Sequence, residues 1–273
     1  MEIGASTRLL TVIGDPVTHS LSPLMHNAAI RCLALDAVYV ALRVPSAALG
    51  EVLTALAAVG AAGNVTVPHK EAVERLLARK TDLCARAGAC NTFWTENGVL
   101  VGDNTDVAGV RASLTALGVT GGGRWLVLGT GGAARAVLIA AKGMDAELYA
   151  RSRNPARARA FAEWGASRGV EVHVPHGPVD VDVAINATPL GLHETDPLPT
   201  EPGELKELLV ALDLVYARNE TRWVRTLRAG GVTAQDGREL LVQQGAAAFT
   251  RFFPRQVAPV EVMRAAVERA LRV

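Results

Sequence analysis

The sequence contains few aromatic residues and no excess of charge of either sign. Phe, Trp and Tyr together make up 4% of the 273 residues, whereas apolar residues as a whole make up 49%. Lys plus Arg number 28 and Asp plus Glu number 27, so the net charge does not favour a nucleic acid or an anionic membrane as partner. The prevalence of Ala, Val, Leu and Gly is typical of a globular α/β protein whose helices pack through small residues.

Long apolar runs and paired cysteines are also lacking. No apolar run reaches the roughly 18 residues of a membrane-spanning helix, and the Ala-rich stretch 133–141 is interrupted by Arg135. The N-terminal segment carries an acid at position 2, unlike a signal peptide. Cys32, Cys84 and Cys90 show no CxxC spacing, so we expect buried thiols in a reducing compartment and no metal site. These features together predict a cytoplasmic protein.

Strand and helix patterns alternate along the first third of the chain. The apolar run Arg8–Gly14 predicts a strand, and Ser22 followed by Pro23 predicts the N-cap and first position of a helix. Residues 37–44 and 63–68 predict two further strands, separated and followed by helices. Strands that alternate with helices indicate a parallel sheet.

A second alternating region begins after three glycines at 121–123. Its predicted strands are RWLVL, AELYARS, VDVAINATP, LVALDLVYA and a short strand within GVTAQDG. A long helix is predicted after the first of these strands and a helix over 155–167 after the second. From about Glu239 the chain is predicted to be helical, with breaks near Pro254 and Pro259. We therefore predict two α/β domains with a boundary near Asp106, and C-terminal helices that return to the first domain.

The turn VLGTGGAARAV places Gly129, Gly131 and Ala134 in the spacing G-x-G-x-x-A, between a predicted strand and a predicted helix. The first glycine permits a tight turn, the second lets a pyrophosphate approach the backbone, and the small third residue lets helix pack on strand. The helix N-terminus then offers free N–H groups to the phosphates. The pattern predicts a dinucleotide site; the alternative is a glycine-rich turn without a ligand.

The end of the next strand indicates which dinucleotide is bound. An NAD site needs a carboxylate about 20 residues after the glycine turn, but this segment contains Arg151, Arg153 and Arg157 and no acid. Guanidinium groups suit a 2′-phosphate, so NADP is predicted. The alternative, a solvated basic helix face, is preferred for Arg159. A nucleic-acid surface is disfavoured because no aromatic residues are interleaved.

Three polar stretches of the first domain each lie at the C-terminal end of a predicted strand: HSLS, NVTVPHK, and ACNT with GDNTD. Ligands of open parallel sheets bind beyond the carboxyl ends of the strands. The stretches supply neutral hydrogen-bonding groups, one cation and one carboxylate: Ser20, Ser22, Asn64, Thr66, Asn91, Lys70 and Asp106. This set suits a small, polyhydroxylated, anionic substrate, although each residue alone has a structural explanation as a cap, a turn residue or a solvated lysine.

Together these motifs resemble those of the shikimate dehydrogenase family, from Val12 to Gln244. The resemblance implies that Lys70 and Asp106 are the catalytic pair. It further implies substrate contacts at Ser20, Ser22, Asn64, Thr66, Asn91, Tyr216 and Gln244, and cofactor contacts at Gly129, Gly131, Gly132, Ala133, Ala134, Arg151, Arg153, Asn154, Arg157, Thr188 and Gly237. His69 is expected to be structural or solvent-facing.

The resemblance implies reversible, NADP(H)-dependent reduction of 3-dehydroshikimate to shikimate, a step of chorismate and aromatic amino-acid biosynthesis. The expected architecture is an N-terminal α/β substrate-binding domain with a mainly parallel sheet (1–105 and 240–273) and a Rossmann-type NADP-binding domain (106–239). The partner would be a small molecule, and the protein a monomer or homodimer. Thr130, Arg218 and Leu240 depart from the family pattern, and the alignment leaves the choice between Arg151 and Arg153 open.

Alternative functions differ in substrate or in the presence of activity. A quinate/shikimate or aminoshikimate dehydrogenase would differ by a few side chains around one ring carbon. A folate-processing dehydrogenase of similar architecture is disfavoured by HSLSP and GDNTD. An inactive NADP-binding regulatory protein is disfavoured by the presence of both Lys70 and Asp106.

Overall fold

The computed structural model describes residues 3–272. They form two compact units, one of residues 3–109 and 241–271 and the other of residues 110–240. Within the described residues, every helix is too short or too polar to cross a lipid bilayer.

The first unit contains a six-stranded mixed sheet. Its strands are β1 (Arg8–Gly14), β2 (Ala37–Arg43), β3 (Ala62–Val65), β4 (Arg79–Lys80), β5 (Thr92–Glu96) and β6 (Val99–Asp103). They lie in the order β2-β1-β3-β5-β6-β4. Strand β1 pairs in parallel with β2 and β3, whereas β5 runs antiparallel to both of its neighbours, β3 and β6.

Four helices accompany these strands: α1 (Ser22–Cys32), α2 (Leu49–Ala58), α3 (Lys70–Leu76) and α4 (Asp82–Ala87). A fifth, α5 (Asp106–Ala116), begins in this unit and continues into the second. A short 3-10 turn, Ser46–Ala48, precedes α2. One apolar cluster in this unit includes Ile13, Leu53, Val73 and Phe93, contributed by strands and helices alike. Burial of these side chains fixes the register of the strands. The polar residues at the ends of these strands then form the candidate site.

Several local predictions for this unit were wrong. Ser22 is the first residue of α1 and Leu21 is the N-cap, which makes no side-chain capping bond. The third strand ends at Val65 rather than at Pro68, although the Thr66 amide still donates to Ile13 at 2.9 Å. The expected burial of all three thiols fails at Cys32, which is exposed.

The prediction of a parallel sheet from the sequence does not include the antiparallel hairpin that β5 and β6 form. Asn91 therefore precedes a strand instead of following one. Because β5 is antiparallel to β3, its amino end lies at the same edge of the sheet as the carboxyl end of β3, where Asn64 pairs with Thr92. The polar stretches still meet at one edge, but not for the reason expected.

The second unit contains a six-stranded sheet in which every pairing is parallel. Its strands are β7 (Arg124–Leu128), β8 (Glu147–Arg151), β9 (Val172–His173), β11 (Val183–Asn186), β13 (Val210–Asp213) and β14 (Thr233–Gln235), in the order β14-β13-β11-β7-β8-β9. Two short strands, β10 (Val179–Asp180) and β12 (Leu205–Lys206), pair separately. The reversal of strand order at β7 is that of a dinucleotide-binding Rossmann sheet.

The helices of this unit are α6 (Gly132–Lys142), α7 (Pro155–Ala166) and α8 (Arg222–Ala229), with a 3-10 turn at Pro202–Glu204. Helix α6 buries a run of small and branched residues, Ala134 and 136–141. Small side chains permit close packing of this helix against the sheet, as the Ala-rich sequence predicts. Trp223 of α8 and Leu126 of β7 belong to one apolar cluster.

Two C-terminal helices, α9 (Arg238–Phe252) and α10 (Val260–Arg272), follow the second unit, and the predicted break lies between them. In the first unit, Phe249 and Phe252 of α9 pack around His26 of α1, with ring centroids 6.2 and 5.6 Å from the imidazole. The imidazole also stacks on Tyr39 at 4.4 Å. Both ring nitrogens of His26 are buried without a hydrogen-bond partner in the described residues. Burial lowers the pKa of His26 from 6.5 to about 3.

Replacing His26 with Phe is expected to make the protein more resistant to acid. The unfolded chain takes up a proton on His26 below pH 6.5, but the folded chain does not until about pH 3. Folding stability is therefore lost as the pH falls, by about 3 kcal/mol between pH 6.5 and 4. Urea unfolding across this range should show a smaller loss for H26F. A matched variant of the exposed His176, H176F, should behave like the parent, and equal acid sensitivity of H26F and parent would contradict the argument.

Candidate active site

Lys70 and Asp106 form an ion pair at the polar edge of the first unit. Lys70 Nζ lies 2.6 Å from Asp106 Oδ2, with 17% and 11% of the two side chains exposed. Each is the first residue of a helix, α3 and α5 respectively. The positive end of a helix stabilises the carboxylate but not the ammonium. A lysine placed there against the local preference, beside a carboxylate, indicates a functional position.

Asn91 holds the other oxygen of the Asp106 carboxylate. Its Nδ2 donates to Asp106 Oδ1 at 2.8 Å and to Thr105 Oγ1 at 3.0 Å, while its Oδ1 accepts from the Thr105 amide at 2.7 Å. Gln244 Oε1 lies 3.4 Å from the same Asn91 nitrogen. The carboxylate is thus bonded through both oxygens, one to a cation and one to a neutral amide, which fixes its plane.

Asn64 is buried in the same network. Its Nδ2 donates to Thr92 Oγ1 at 3.0 Å and to the Asn91 carbonyl at 3.1 Å, and its Oδ1 accepts from the Tyr39 hydroxyl at 2.7 Å. Thr66 follows β3 and is half-buried, with its methyl group against Gly14. A Cβ at Gly14 would lie 2.4 Å from that methyl carbon, so the glycine makes room for Thr66.

The two serines of HSLSP lie at the start of α1. The Ser22 amide donates to Ser20 Oγ at 3.3 Å, and Ser22 is buried whereas Ser20 is half-exposed. The Ser22 hydroxyl bonds to the Tyr39 phenol. Ser22, Asn64, Asn91, Lys70, Asp106 and Gln244 are therefore linked through hydrogen bonds within the first unit.

His69 is a structural residue. It is buried, and its Nε2 lies 2.6 Å from the Val44 carbonyl oxygen. A carbonyl oxygen only accepts, so Nε2 carries the proton and donates. This bond ties the segment before Lys70 to the chain that follows β2. Of the two roles expected for His69, structural or solvent-facing, the structure supports the first.

In the second unit, the glycine turn joins β7 to α6. Gly129 has φ +107°, and a Cβ there would lie 2.9 Å from the Ala187 carbonyl oxygen, so only glycine fits. A Cβ at Gly131 would meet no atom within 4 Å. The N-terminus of α6 has no side-chain cap and no acid in its first turn. Uncapped N–H groups beside open space suit a pyrophosphate.

The arginines after β8 have different environments. Arg151 Nη1 pairs with Glu204 at 2.8 Å and approaches Thr200 Oγ1 at 3.4 Å, and Nη2 donates to the Gly177 carbonyl. Arg153 and Arg157 are exposed and form no ion pair among the described residues. Asn154 caps α7, its Oδ1 accepting from the Ala156 amide at 3.0 Å.

A buried carboxylate organises the ends of β11 and β13. Asp213 accepts from Asn186 Nδ2 at 2.8 Å, from the Thr221 hydroxyl at 2.7 Å and from the Val215 amide at 3.0 Å. Asn186 Oδ1 accepts in turn from the Thr188 amide and hydroxyl, at 3.0 and 2.7 Å. Burial raises the pKa of Asp213 to about 6, against the lowering effect of these donors. The network fixes the loop that carries Thr188.

Gly237 and Tyr216 lie near the end of the same sheet. A Cβ at Gly237 would lie 2.4 Å from the Leu214 carbonyl oxygen, and its amide donates to the Val215 carbonyl at 2.9 Å. The close approach requires glycine at this position. Tyr216 is half-buried in the segment after β13. Of the predicted substrate residues, Tyr216 is the one that lies in the second unit.

Comparisons with known proteins identify the family. The model of the shikimate dehydrogenase substrate binding domain matches residues 12–93, and that of the shikimate 5′-dehydrogenase C-terminal domain matches residues 237–268. The shikimate dehydrogenase (NADP(+)) of Trichormus variabilis is 37% identical, over 98% of this chain and 99% of the relative. This chain belongs to the shikimate dehydrogenase family.

Solved shikimate dehydrogenases share the fold. One crystal structure, in complex with NADP+, matches with a TM-score of 0.91 and 31% identity over 100% of this chain and 98% of the other. The Thermus thermophilus enzyme, in complex with NADP(H) and shikimate, matches with a TM-score of 0.87 and 35% identity over 96% and 99%. The predicted shikimate dehydrogenase fold class, α/β with two domains, is confirmed.

The sequence motifs do not single out three buried polar residues that organise these sites: Tyr39 and Thr105 in the first unit and Asp213 in the second. Their importance arises from burial combined with a polar partner distant in the chain, 25 residues away for Tyr39 and 27 for Asp213. A polar residue inside a predicted buried strand was the available signal.

Asp213→Asn is expected to alter the pH dependence of stability. The unfolded Asp213 loses its proton near pH 3.8, but the folded one keeps it until about pH 6, so stability falls as the pH rises between these values. The loss is on the order of 2–3 kcal/mol. Urea unfolding from pH 4 to 7 should show that the free energy of unfolding of D213N rises relative to that of the parent by a comparable amount. D180N, at an exposed carboxylate, is the control, and a constant difference between D213N and parent would contradict the expectation.

Proposed function

We propose that this protein catalyses the reversible reduction of 3-dehydroshikimate to shikimate with NADP(H). The observation that carries the proposal is the Lys70–Asp106 pair, 2.6 Å apart and fixed by Asn91. A cation and a carboxylate held together can bind one hydroxyl group of a substrate from two sides and exchange a proton with it. Family membership supplies the substrate class.

In this proposal Lys70 is the general acid and base. Its ammonium group donates a proton to the oxygen that gains negative charge during reduction, and its amine accepts that proton during oxidation. Asp106 bonds the same hydroxyl and keeps Lys70 Nζ in place. General acid–base catalysis of this kind contributes on the order of 10²–10⁴-fold. Asn91 keeps the carboxylate plane fixed, so the geometry exists before substrate arrives.

The second unit fits NADP(H). The turn residues Gly129, Gly131, Gly132, Ala133 and Ala134 place the uncapped end of α6 beside the space at Gly131, where a pyrophosphate would bind. Thr188 and Gly237 would contact the nicotinamide end. When bound, NADPH supplies the hydride for the carbonyl carbon.

The 2′-phosphate clamp is assigned to Arg153 and Arg157, with Asn154 between them. Both guanidinium groups are exposed without an ion pair in the described part of the chain, so phosphate binding displaces no protein partner. Arg151 is left out of the clamp because Glu204, Thr200 and Gly177 already engage it. These contacts support the proposal of Arg153 rather than Arg151 as the residue that binds the 2′-phosphate.

The substrate is assigned to the first unit. Ser20 and Ser22 would bind its carboxylate, and Asn64, Thr66, Asn91 and Gln244 its hydroxyls, with Tyr216 as a further contact. The first unit, which contains Asp106, would be the substrate domain, predicted at 1–105 and 240–273, and the second unit the NADP domain, predicted at 106–239. A cytoplasmic location and a monomeric or homodimeric state remain predictions.

An initial-rate matrix tests the function as a whole. Shikimate and quinate are each offered with NADP+ and with NAD+, and the proposed function requires the highest kcat/KM with shikimate and NADP+. Preference for quinate would favour the alternative dehydrogenase. No turnover with any pair would favour an inactive NADP-binding protein.

Lys70→Ala should lower kcat by about 10²–10⁴-fold. The KM for NADP+ should stay near the parent value, because Lys70 lies in the first unit and the cofactor residues in the second. Steady-state kinetics with both substrates varied give both constants. The control is K80A, which removes an exposed lysine that also pairs with a carboxylate, Glu74. A K70A enzyme with parental turnover would remove Lys70 from the mechanism.

Arg153→Ala should raise the KM for NADP+ by about 10-fold or more, since a charge-assisted hydrogen bond contributes roughly 1.5–3 kcal/mol. The KM for NAD+, which lacks the 2′-phosphate, should not change. R157A should behave similarly, and the exposed Arg159 provides the control variant R159A. Equal increases in the KM values for NADP+ and NAD+ would show that these arginines do not bind the 2′-phosphate.

A further inference from the structure

The Tyr39 side chain is a buried polar group that the proposed mechanism does not use. Tyr39 lies on β2, an edge strand of the first sheet, and is 1% exposed. The Asn27 side chain satisfies the free edge of the strand at this point: its Nδ2 donates to the Tyr39 carbonyl at 2.7 Å, and its Oδ1 accepts from the Tyr39 amide at 2.9 Å. The backbone of Tyr39 is therefore fixed on both polar groups.

The ring of Tyr39 is fixed as well. It stacks on His26 with centroids 4.4 Å apart and planes 10° from parallel. His26 is neutral and makes no hydrogen bond within the described chain. It therefore packs against the Tyr39 ring and does not bond to the Tyr39 hydroxyl. The phenol oxygen consequently occupies one position.

That hydroxyl anchors the oxygen end of Asn64. The Asn91 carbonyl only accepts, so the Asn64 amide nitrogen faces it and Thr92 Oγ1, and the phenol donates to Asn64 Oδ1 at 2.7 Å on the opposite side. Without the phenol, this buried oxygen would lose its donor and the amide one of its anchors. The Ser22 hydroxyl also bonds to this phenol. One hydroxyl thus contacts side chains from two of the three polar stretches.

We propose that Tyr39 is a positioning residue for substrate binding, and that its hydroxyl holds the side chains of Asn64 and Ser22 in place. The inference rests on the proposed function, because it assigns substrate contacts to both of these residues. Tyr39 itself touches neither Lys70 nor Asp106 in the described hydrogen bonds. Its effect should therefore appear mainly in substrate affinity and less in the proton-transfer step.

Tyr39→Phe tests the proposal, because it removes one oxygen atom and keeps the ring that packs on His26. We expect the KM for shikimate to rise by about 10-fold, the size of one lost buried hydrogen bond, with kcat reduced less. The KM for NADP+ should not change. Y149F is the matched control, since the Tyr149 hydroxyl bonds to the exposed Glu147 in the second unit.

A double-mutant cycle separates positioning from general destabilisation. Because Tyr39 acts partly through Asn64 and partly through Ser22, the loss of kcat/KM for shikimate in the pair Y39F/N64A should be clearly smaller than the product of the two single losses. Independent losses that multiply, or equal increases in the KM values for shikimate and NADP+, would overturn the inference. If Y39F folds poorly, as thermal unfolding would reveal, N64A alone must still raise the KM for shikimate selectively, and a parental value would overturn it.

The outcome for the parent enzyme separates the two proposals. A parent that turns over shikimate while Y39F keeps parental kinetics overturns the positioning role alone. A parent without shikimate activity overturns the proposed function, and this inference with it.

Discussion

The buried carboxylate of Asp106 is the constraint on which the first unit depends. Taking a carboxylate out of water costs several kcal/mol unless cations and donors replace the lost hydration. Lys70 supplies the charge at 2.6 Å, and Asn91 supplies a neutral donor at 2.8 Å. Asn91 in turn requires Thr105, and its backbone carbonyl accepts from Asn64. The need to satisfy one anion therefore orders side chains from the ends of β3, β5 and β6.

The second unit uses the same arrangement of Asn and Asp for a different purpose. Asn186 donates to Asp213 across the carboxyl ends of two neighbouring strands, β11 and β13. Among the described residues, no lysine or arginine bonds to this carboxylate, and burial raises its pKa to about 6. In the proposed mechanism Asp106 holds the lysine that exchanges the proton, whereas Asp213 holds a loop. The neighbours of the two carboxylates differ accordingly, a lysine at Asp106 and neutral donors at Asp213.

The parallel sheet of the second unit could be predicted from sequence because each element carries its own signal. Apolar strands, a glycine turn and an Ala-rich helix follow one another, and the order of the elements then determines the topology. The β5–β6 hairpin of the first unit carries a local signal too, because Asn97 and Gly98, both with positive φ, form a two-residue turn between Thr92–Glu96 and Val99–Asp103. This signal does not show that β5 pairs antiparallel with β3. That placement depends on Phe93 and Leu100 entering the apolar cluster with Ile13, a tertiary effect that local propensity cannot show.

Arg151 and Arg153 show why residue types alone do not determine a binding site. Both are arginines near the end of the same strand, and composition treats them alike. Arg151 is the last residue of β8, so the strand directs its side chain toward a carboxylate, Glu204, that lies 53 residues later in the chain. Arg153 lies beyond the strand, where no such partner reaches it from the described part of the chain. Whether an arginine is available to a phosphate therefore depends on whether the fold brings an acid to it. Here this is decided by where β8 ends, and the sequence motif does not show it. Tyr39 is the converse case, in which a distant partner, Asn64, gives a function to a residue that the apolar pattern alone would assign to the core.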